Sequence, residues 1–440
     1  MTHSERIELL APAKNVGVGR VAIDAGADAV YIGGPAYGAR KAAGNSLADI
    51  GELCRYAHLF GVRVFVTLNT LLRDDELAEA VRIACACNEL GVDALLIQDM
   101  RLAQRLLAIG GFEHKLHAST QCDIRDLERV QELESMGFAQ VVLARELSIS
   151  EIRHIREHCH VALEAFVHGA LCVSYSGACY LSEAVCGRSA NRGECAQMCR
   201  LPYDVLDENR REIRHQQHVL SLQDLDRSAR LPELLDAGIT TLKIEGRLKD
   251  VDYVRNVVAY YRQRLDDIIA ASDGRYMRAS MGETRIRFAP DPKKTFHRGA
   301  TEFFSSFPAG SSPAERPRPL VNMDTPKSTG EYLGTTPITA AMELHNGDGL
   351  VVGGQGFYWP NRTPLPDGLP VYRTYNAAFQ RELAAKDATQ RVLPVRMALS
   401  ETPEGFTIQM GVMSPMSPIG PIGPISPISP ISPISPISPI

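Results

Sequence analysis

The chain has 440 residues, with 47 Lys and Arg against 52 Asp and Glu and a formal net charge of −5. That balance excludes a globally basic surface for non-specific nucleic-acid binding, so any RNA contact must be local, and the length predicts about two to three domains, one of them large enough for a barrel. No apolar run approaches the roughly 20 residues that span a bilayer, and the charged start MTHSERIELLAPAK holds no secretory segment; ten cysteines without an export signal predict the reducing cytoplasm, where clustered thiols bind metal or do redox chemistry.

From the N-terminus, short β-prone runs alternate with amphipathic stretches over about the first 270 residues, the pattern of βα units around a parallel sheet. Candidate strands begin at Glu8, Ala29, Arg63, Ala94, Lys115, Gln140 and Leu163, with two more at Val219 and Thr241. Helical patterns such as SLADIGELCRYAHLFG and DDELAEAVRIACACNELG lie between them, each with a Ser or Asp in capping position and a Gly at its end. A helix–Gly–strand turn recurs four times, in AGADAVYIG, LGVDALLIQ, MGFAQVVLA and AGITTLKIE. The fold class predicted is α/β, a (β/α)8 TIM-barrel-like N-terminal domain in which nine candidate strands compete for eight places, so that one segment is peripheral or displaced. A doubly wound open sheet is the competing architecture, and no GxGxxG follows the first strand to support a dinucleotide.

Residues 1–287 are assigned to the barrel domain. Within it, over 170–200, the periodicity vanishes into LCVSYSGACYLSEAVCGRSANRGECAQMCR, a long Cys-rich loop insertion. YDVLDENRREIRH then reads as a hairpin turning at Glu208 and Asn209. Residues 288–410 change to short β-prone pieces with Pro and Gly, a small β domain with a turn at NGDGL, residues 346–350. Residues 411–440 become Ser-Pro-Ile and Gly-Pro-Ile triplets, a low-complexity tail expected to be disordered and polyproline-like. Placed where the β domain should still continue, this strict period of three suggests a shifted or truncated reading frame more than an interaction tail.

Six residues separate Cys172 from Cys179, fifteen separate Cys179 from Cys195, and three separate Cys195 from Cys199. Four thiolates on one loop that Gly169, Gly177, Gly187 and Gly193 allow to fold back can surround an iron–sulfur cubane. A structural zinc site would use the same four atoms, although zinc motifs usually pair two CxxC-like knuckles and only the CxxxC at Cys195 is so spaced. Cys54, Cys85, Cys87 and Cys159 fall in helical stretches and are expected to pack. Cys122 and Cys186 stand in reserve should one of the four not ligate.

In a barrel, polar residues at the C-terminal ends of the strands face the active site. By that rule the candidates are Asn69, Gln98, Asp99, His117, Arg145, Glu146, Glu164, His168, Lys243, Glu245 and Arg247. In KIEGR, Lys243, Glu245 and Arg247 alternate on one face of a strand, a charged triple that needs either a ligand or an internal salt-bridge network. Arg145 and Arg247 could bind a small dicarboxylate through bidentate geometry. His117 and His168 read equally well as core histidines. No Ser/His/Asp or Cys/His protease set and no HExxH helix is recognisable.

EAFVHGALCVSYSGACYLS, residues 164–182, resembles the signature of the U32 peptidase-like family, and the likeness runs across nearly all of residues 7–350. GGPAYGAR, NSLADI, LHASTQCDIR, VLAREL, GRSANRGECAQMCRLPY, KIEGRLKD, KTFHRG and NGDGL are similar to motifs of those family members that hydroxylate ribosomal RNA. The resemblance implies an enzyme that forms 5-hydroxycytidine in 23S rRNA without oxygen. It implies a [4Fe-4S] cluster on Cys172, Cys179, Cys195 and Cys199, and prephenate as the hydroxyl donor, a small carboxylate co-substrate. The electron partner stays unassigned, and the catalytic set His117, Arg145, Glu164, His168, Lys243, Glu245 and Arg247 comes from strand position and not from the family. Other members imply hydroxylation of tRNA uridine or a ubiquinone precursor, the historical name implies a collagenase-like peptidase, and a non-catalytic metal-binding partner is the third alternative. The C-terminus departs from the family, which continues beyond the β domain.

Overall fold

The structure, a computed structural model, describes residues 4–307, 320–360, 364–402 and 405–412. The Ser-Pro-Ile stretch from 413 onward lies outside the described residues. Eight parallel strands form the first architecture: β1 (Glu5–Ala13), β2 (Ala29–Gly33), β3 (Arg63–Leu68), β4 (Ala94–Ile97), β5 (Leu116–Ala118), β6 (Gln140–Val142) and β7 (Ala162–Ala170), with the eighth arriving after a hairpin. That hairpin, β8 (Tyr203–Leu206) and β9 (Glu212–Gln217), turns where DEN predicted it. The ninth candidate strand is the displaced one: from the run beginning at Val219 only β10 (Asp224–Asp226) forms, antiparallel to β7 with Leu225 opposite Gly169. The eighth barrel strand is β11 (Ile239–Ile244), which pairs in parallel with both β7 and β1. This double pairing closes the sheet and removes the open doubly wound alternative.

The helices α1 (Val16–Asp24), α2 (Leu47–His58), α3 (Leu77–Glu89), α4 (Met100–Ile109), α5 (Leu127–Ser135) and α6 (Ile149–Glu157) alternate with the strands, followed by α7 (Leu181–Cys186) in the Cys-rich loop and α8 (Leu231–Asp236) before β11. The recurring αβ turn has one cause: Gly26, Gly91, Gly137 and Gly238 all sit at positive φ, between 85° and 109°, just past a helix end. Ser46 and Ser148 close capping boxes with Asp49 and Glu151 on α2 and α6. The cap expected from Asp at α3 does not form. Its N-cap is Glu76 with no side-chain cap bond, because Asp74 is held by Arg101 at 2.6 Å and Glu76 is turned toward Arg73 and Arg192.

Helix α9 (Val251–Ala270) packs Tyr253 and Tyr261 beside β7, and residues up to Val392 belong to the same compact unit as the barrel. That unit includes an antiparallel sheet ordered Glu331–Thr335, Pro370–Tyr375, Gly349–Val352 and Gln355–Tyr358, with the NGDGL turn leading into its third strand. A helix, Ala377–Ala384, stands where only β pieces were expected, burying Phe379 and Leu383. The second unit, residues 393–440, contains the antiparallel pair Val395–Thr402 and Gly405–Val412. Among the described residues no helix is long and apolar enough to cross a membrane.

Candidate functional site

At the C-terminal ends of the strands a cavity of about 470 Å³ lies between the barrel and the Cys-rich loop. Its floor comes from β11 and its neighbours. Lys243 is buried with its Nζ 2.6 Å from Glu164 Oε1, and Gln140 Nε2 donates to the other Glu164 oxygen at 2.5 Å. The rings of Tyr31 and Phe166 lie 4.6 and 5.3 Å from the same ammonium. Burial lowers the Lys243 pKa, with Glu164 opposing.

The charged triple does not stay on one strand face. β11 ends at Ile244, and Gly246 at φ +154° swings the chain so that Glu245 and Arg247 leave the strand. All three side chains nevertheless line the cavity. Glu245 binds Arg145 at 3.0 Å, and the Arg145 guanidinium stacks 3.8 Å from the Phe166 centroid. Burial alone would raise the Glu245 carboxyl, but Arg40, Arg145, Arg247 and Lys243 together hold it below its ordinary value. Arg247 differs from its neighbours. It is buried, its Nη1 donates to Thr67 Oγ1 at 2.5 Å, its Nε has no partner, and among the described residues no carboxylate stands within ion-pair distance.

The loop is pinned at several points. Arg200 donates to Leu171 O and Ser221 Oγ, each at 2.9 Å, and to Leu222 O. Arg192 reaches across to Glu76 and Leu71 O, both at 2.6 Å, and Cys179 N donates to the buried Asn191 at 3.2 Å. Gly177, at φ +81°, passes so close to the barrel that a Cβ there would lie 2.1 Å from Gln121 O. The segment is not wholly irregular, since α7 (Leu181–Cys186) and two short 3-10 turns form within it.

Cys172, Cys179, Cys195 and Cys199 all line the cavity and none is in a disulfide. Burial raises the Cys172 thiol, opposed by the Ser174 backbone N–H and by Arg145, and raises the Cys199 thiol, opposed by Arg200. Gln197 N donates to Cys195 Sγ at 3.3 Å. No three of these sulfurs lie within 4.8 Å of one another, whereas a tetrahedral zinc–thiolate site has sulfur–sulfur edges of about 3.8 Å. The reserve cysteines stand elsewhere: Cys186 Sγ turns to Ser182 O at 3.1 Å, and buried Cys122 turns to Ile97 O at 3.5 Å. Cys54, Cys87 and Cys159 are buried and Cys85 half-buried.

Of the strand-end candidates, Asn69, Arg145, Lys243, Glu245 and Arg247 are brought together around the cavity. His117, Glu164 and His168 are not part of its lining. Glu164 meets the cavity only through its ion pair with Lys243. His117 is buried in the barrel interior, edge-on to Phe65 at 4.9 Å, and burial lowers its pKa well below the ordinary value. His168 meets Tyr261 OH at 3.3 Å, because a register shift between Phe166 and His168 turns it from the interior toward α9. Asp99 caps α4 and binds Arg101, Gln98 donates to Gln121 O, and Glu146, its carboxyl raised by burial, lies outside the cavity. Arg40, Arg200, Arg298, Tyr31 and Phe166 also line it. Strand-end position could have flagged none of the three arginines, which arrive from loops.

The family model described as Peptidase family U32 matches residues 14–312. The chain is 44% identical over 420 residues to the 23S rRNA 5-hydroxycytidine C2501 synthase of Escherichia coli (strain K12), covering 88% of this chain and 62% of that protein. It is 34% identical over 270 residues to tRNA hydroxylation protein P1 of Bacillus subtilis (strain 168), covering 60% and 64%. To a collagenase of Porphyromonas gingivalis (strain ATCC BAA-308 / W83) it is 33% identical over 294 residues, covering 62% and 68%. The chain thus spans less than two thirds of the length of the first two relatives.

Proposed function

The chain belongs to peptidase family U32, and from that premise we propose that it is an oxygen-independent hydroxylase that forms 5-hydroxycytidine in 23S rRNA. A [4Fe-4S] cluster on Cys172, Cys179, Cys195 and Cys199 and prephenate as co-substrate complete the proposal. The observation that carries it is a single cavity joining four free thiols to a buried guanidinium, Arg247, that has a hydroxyl for a partner but no carboxylate among the described residues. Glu245 acts on this buried guanidinium only at a distance and is itself bound to Arg145, so a ligand carboxylate in direct contact would neutralise it with bidentate geometry.

The loop suits a cluster by its donors: four free thiols from one pinned segment, open to one cavity. When bound, such a cluster supplies iron as a redox or Lewis-acid centre at the cavity wall. The chain's own residues do the rest. Arg247, with one nitrogen fixed by Thr67, binds the co-substrate carboxylate. Arg145 is committed to Glu245 and orients that wall of the site. Lys243 holds a proton at Nζ beside Glu164, on the floor where a reacting base would rest, and Tyr31 and Phe166 cover it from water.

Relatives named for rRNA and tRNA hydroxylation favour a nucleic-acid substrate, and the higher identity to the rRNA enzyme favours cytidine over tRNA uridine. With ribosomal RNA as substrate, the reaction would run in the cytoplasm. A peptidase would need a nucleophile and base within hydrogen-bond reach, and both candidate histidines stand outside the cavity lining.

Anaerobic incubation with 23S rRNA and prephenate, read by nucleoside mass spectrometry, should yield 5-hydroxycytidine. Arg247→Met should lower kcat/KM for prephenate by about 10- to 100-fold with iron content unchanged. Unaltered prephenate kinetics in this variant would move the carboxylate site elsewhere; no hydroxycytidine together with cleavage of gelatin would favour the peptidase.

A further inference from the structure

Seven Lys and Arg side chains line the cavity against one carboxylate, Glu245, in a chain whose formal net charge is −5. The positive charge is therefore concentrated at this site. Around its mouth the loop holds out apolar side chains that a folded chain normally buries: Val173, Tyr175 and Tyr180 are 43%, 51% and 65% exposed, and all three line the cavity. These rings do not trail from a slack segment. The bonds from Cys179 N to Asn191, from Arg192 to Glu76 and from Arg200 to Leu171 fix the loop on both sides of them. Tyr175 is further backed by Arg125, whose guanidinium lies 3.8 Å from the ring centroid and is itself held by Asp123 at 2.8 Å.

Fixed, exposed aromatic rings beside a local positive field are what single-stranded nucleic acid uses, since every base offers a π-face to stack and the phosphates meet the cations. A neutral or basic peptide would find the apolar rim suitable but not the charge. The cavity floor lies beneath the loop, and a base inside a helix cannot bring its ring atoms there without leaving the stack. Resting on the RNA reading above, we infer that the substrate is engaged as an unpaired nucleotide whose base, or its immediate neighbour, is clamped at the cavity mouth by Tyr175 and Tyr180. Both act as binding residues, and recognition at the rim is by stacking and not by hydrogen bonding of the phenol groups.

The test is fluorescence anisotropy of the whole chain, as isolated anaerobically, with a short labelled single-stranded RNA and with the same RNA annealed to its complement. Wild type should bind the single strand at least about tenfold more tightly than the duplex. Tyr180→Ala and Tyr175→Ala should each weaken binding by roughly 5- to 100-fold, while Tyr180→Phe, which keeps the ring, should stay within about twofold of wild type. Thermal melting and iron content, unchanged in the alanine variants, would show that the loop has not collapsed. Alanine variants that bind like wild type would overturn the clamp and leave the RNA reading intact, as would a Phe variant as weak as the Ala variant. Equal affinity for duplex and single strand would overturn the unpaired-nucleotide requirement. Wild type that binds neither RNA, but binds a gelatin peptide through the same tyrosines, would remove the RNA reading itself.

Discussion

Glu8 shows how far the barrel interior departs from an apolar core. Its carboxylate lies 2.6 Å from Arg63 and accepts from Thr241 at 3.2 Å, while burial pushes its pKa from 4.5 up to about 7 against the pull of Arg63. A folded-state pKa above the unfolded one means that the group's stabilising contribution is fully present below about 4.5 and is lost as pH rises through about 7. Glu8→Gln keeps the shape without the charge. Its melting temperature relative to wild type should therefore be higher at about pH 8 than at about pH 5, by a few degrees, measured by thermal unfolding at the two pH values. An equal offset at both would contradict the assignment. Legibility at this scale was uneven for a physical reason. Period-two alternation places Thr241 and Lys243 inward, so the cavity lysine could be read from KIEGR. The same alternation fails at His168, where a bulge in β7 re-aims the ring, and at Glu245 and Arg247, which follow the strand and depend on the turn at Gly246.

Elements were legible where local chemistry dictates them. The four glycine turns mark helix ends because a left-handed residue must follow each helix, and their spacing alone indicated a repeated βα unit. Which of nine candidate strands would be displaced was not legible. β10 is excluded from the barrel by its antiparallel pairing with β7, a long-range choice that local propensity does not encode. The helix at Ala377–Ala384 was hidden by the Pro- and Gly-rich composition around it. The Cys-rich loop lies between these cases: its lost periodicity marked it as an inserted segment, whereas its anchors, Arg192 to Glu76 and Arg200 to Leu171, join residues far apart in sequence. Gly177 is where loop and barrel touch. Gly177→Ala places a Cβ on a left-handed backbone and 2.1 Å from Gln121 O, where neither side is a flexible side-chain end. Iron content should fall severalfold in this variant while its far-ultraviolet circular dichroism stays that of wild type. Full iron occupancy would show that loop placement does not depend on this contact.

Across the whole molecule, a closed barrel supplies a fixed charged floor and an inserted loop supplies four thiols above it, and the two meet in one cavity. Composition alone could state only that positive charge for any nucleic-acid contact must be local; in the structure seven cations line one cavity of an acidic chain. The proposed cofactor-dependent enzyme and a loop held by structural metal differ in what the cysteines bind. The most direct measurement is therefore the visible spectrum with iron, sulfide and zinc content of anaerobically purified wild type and of Cys195→Ala. A broad band near about 400 nm with iron and sulfide present in wild type and lost in the variant is the result expected of thiolate-held iron–sulfur; colourless wild type carrying stoichiometric zinc would contradict it and leave the loop a structural zinc site.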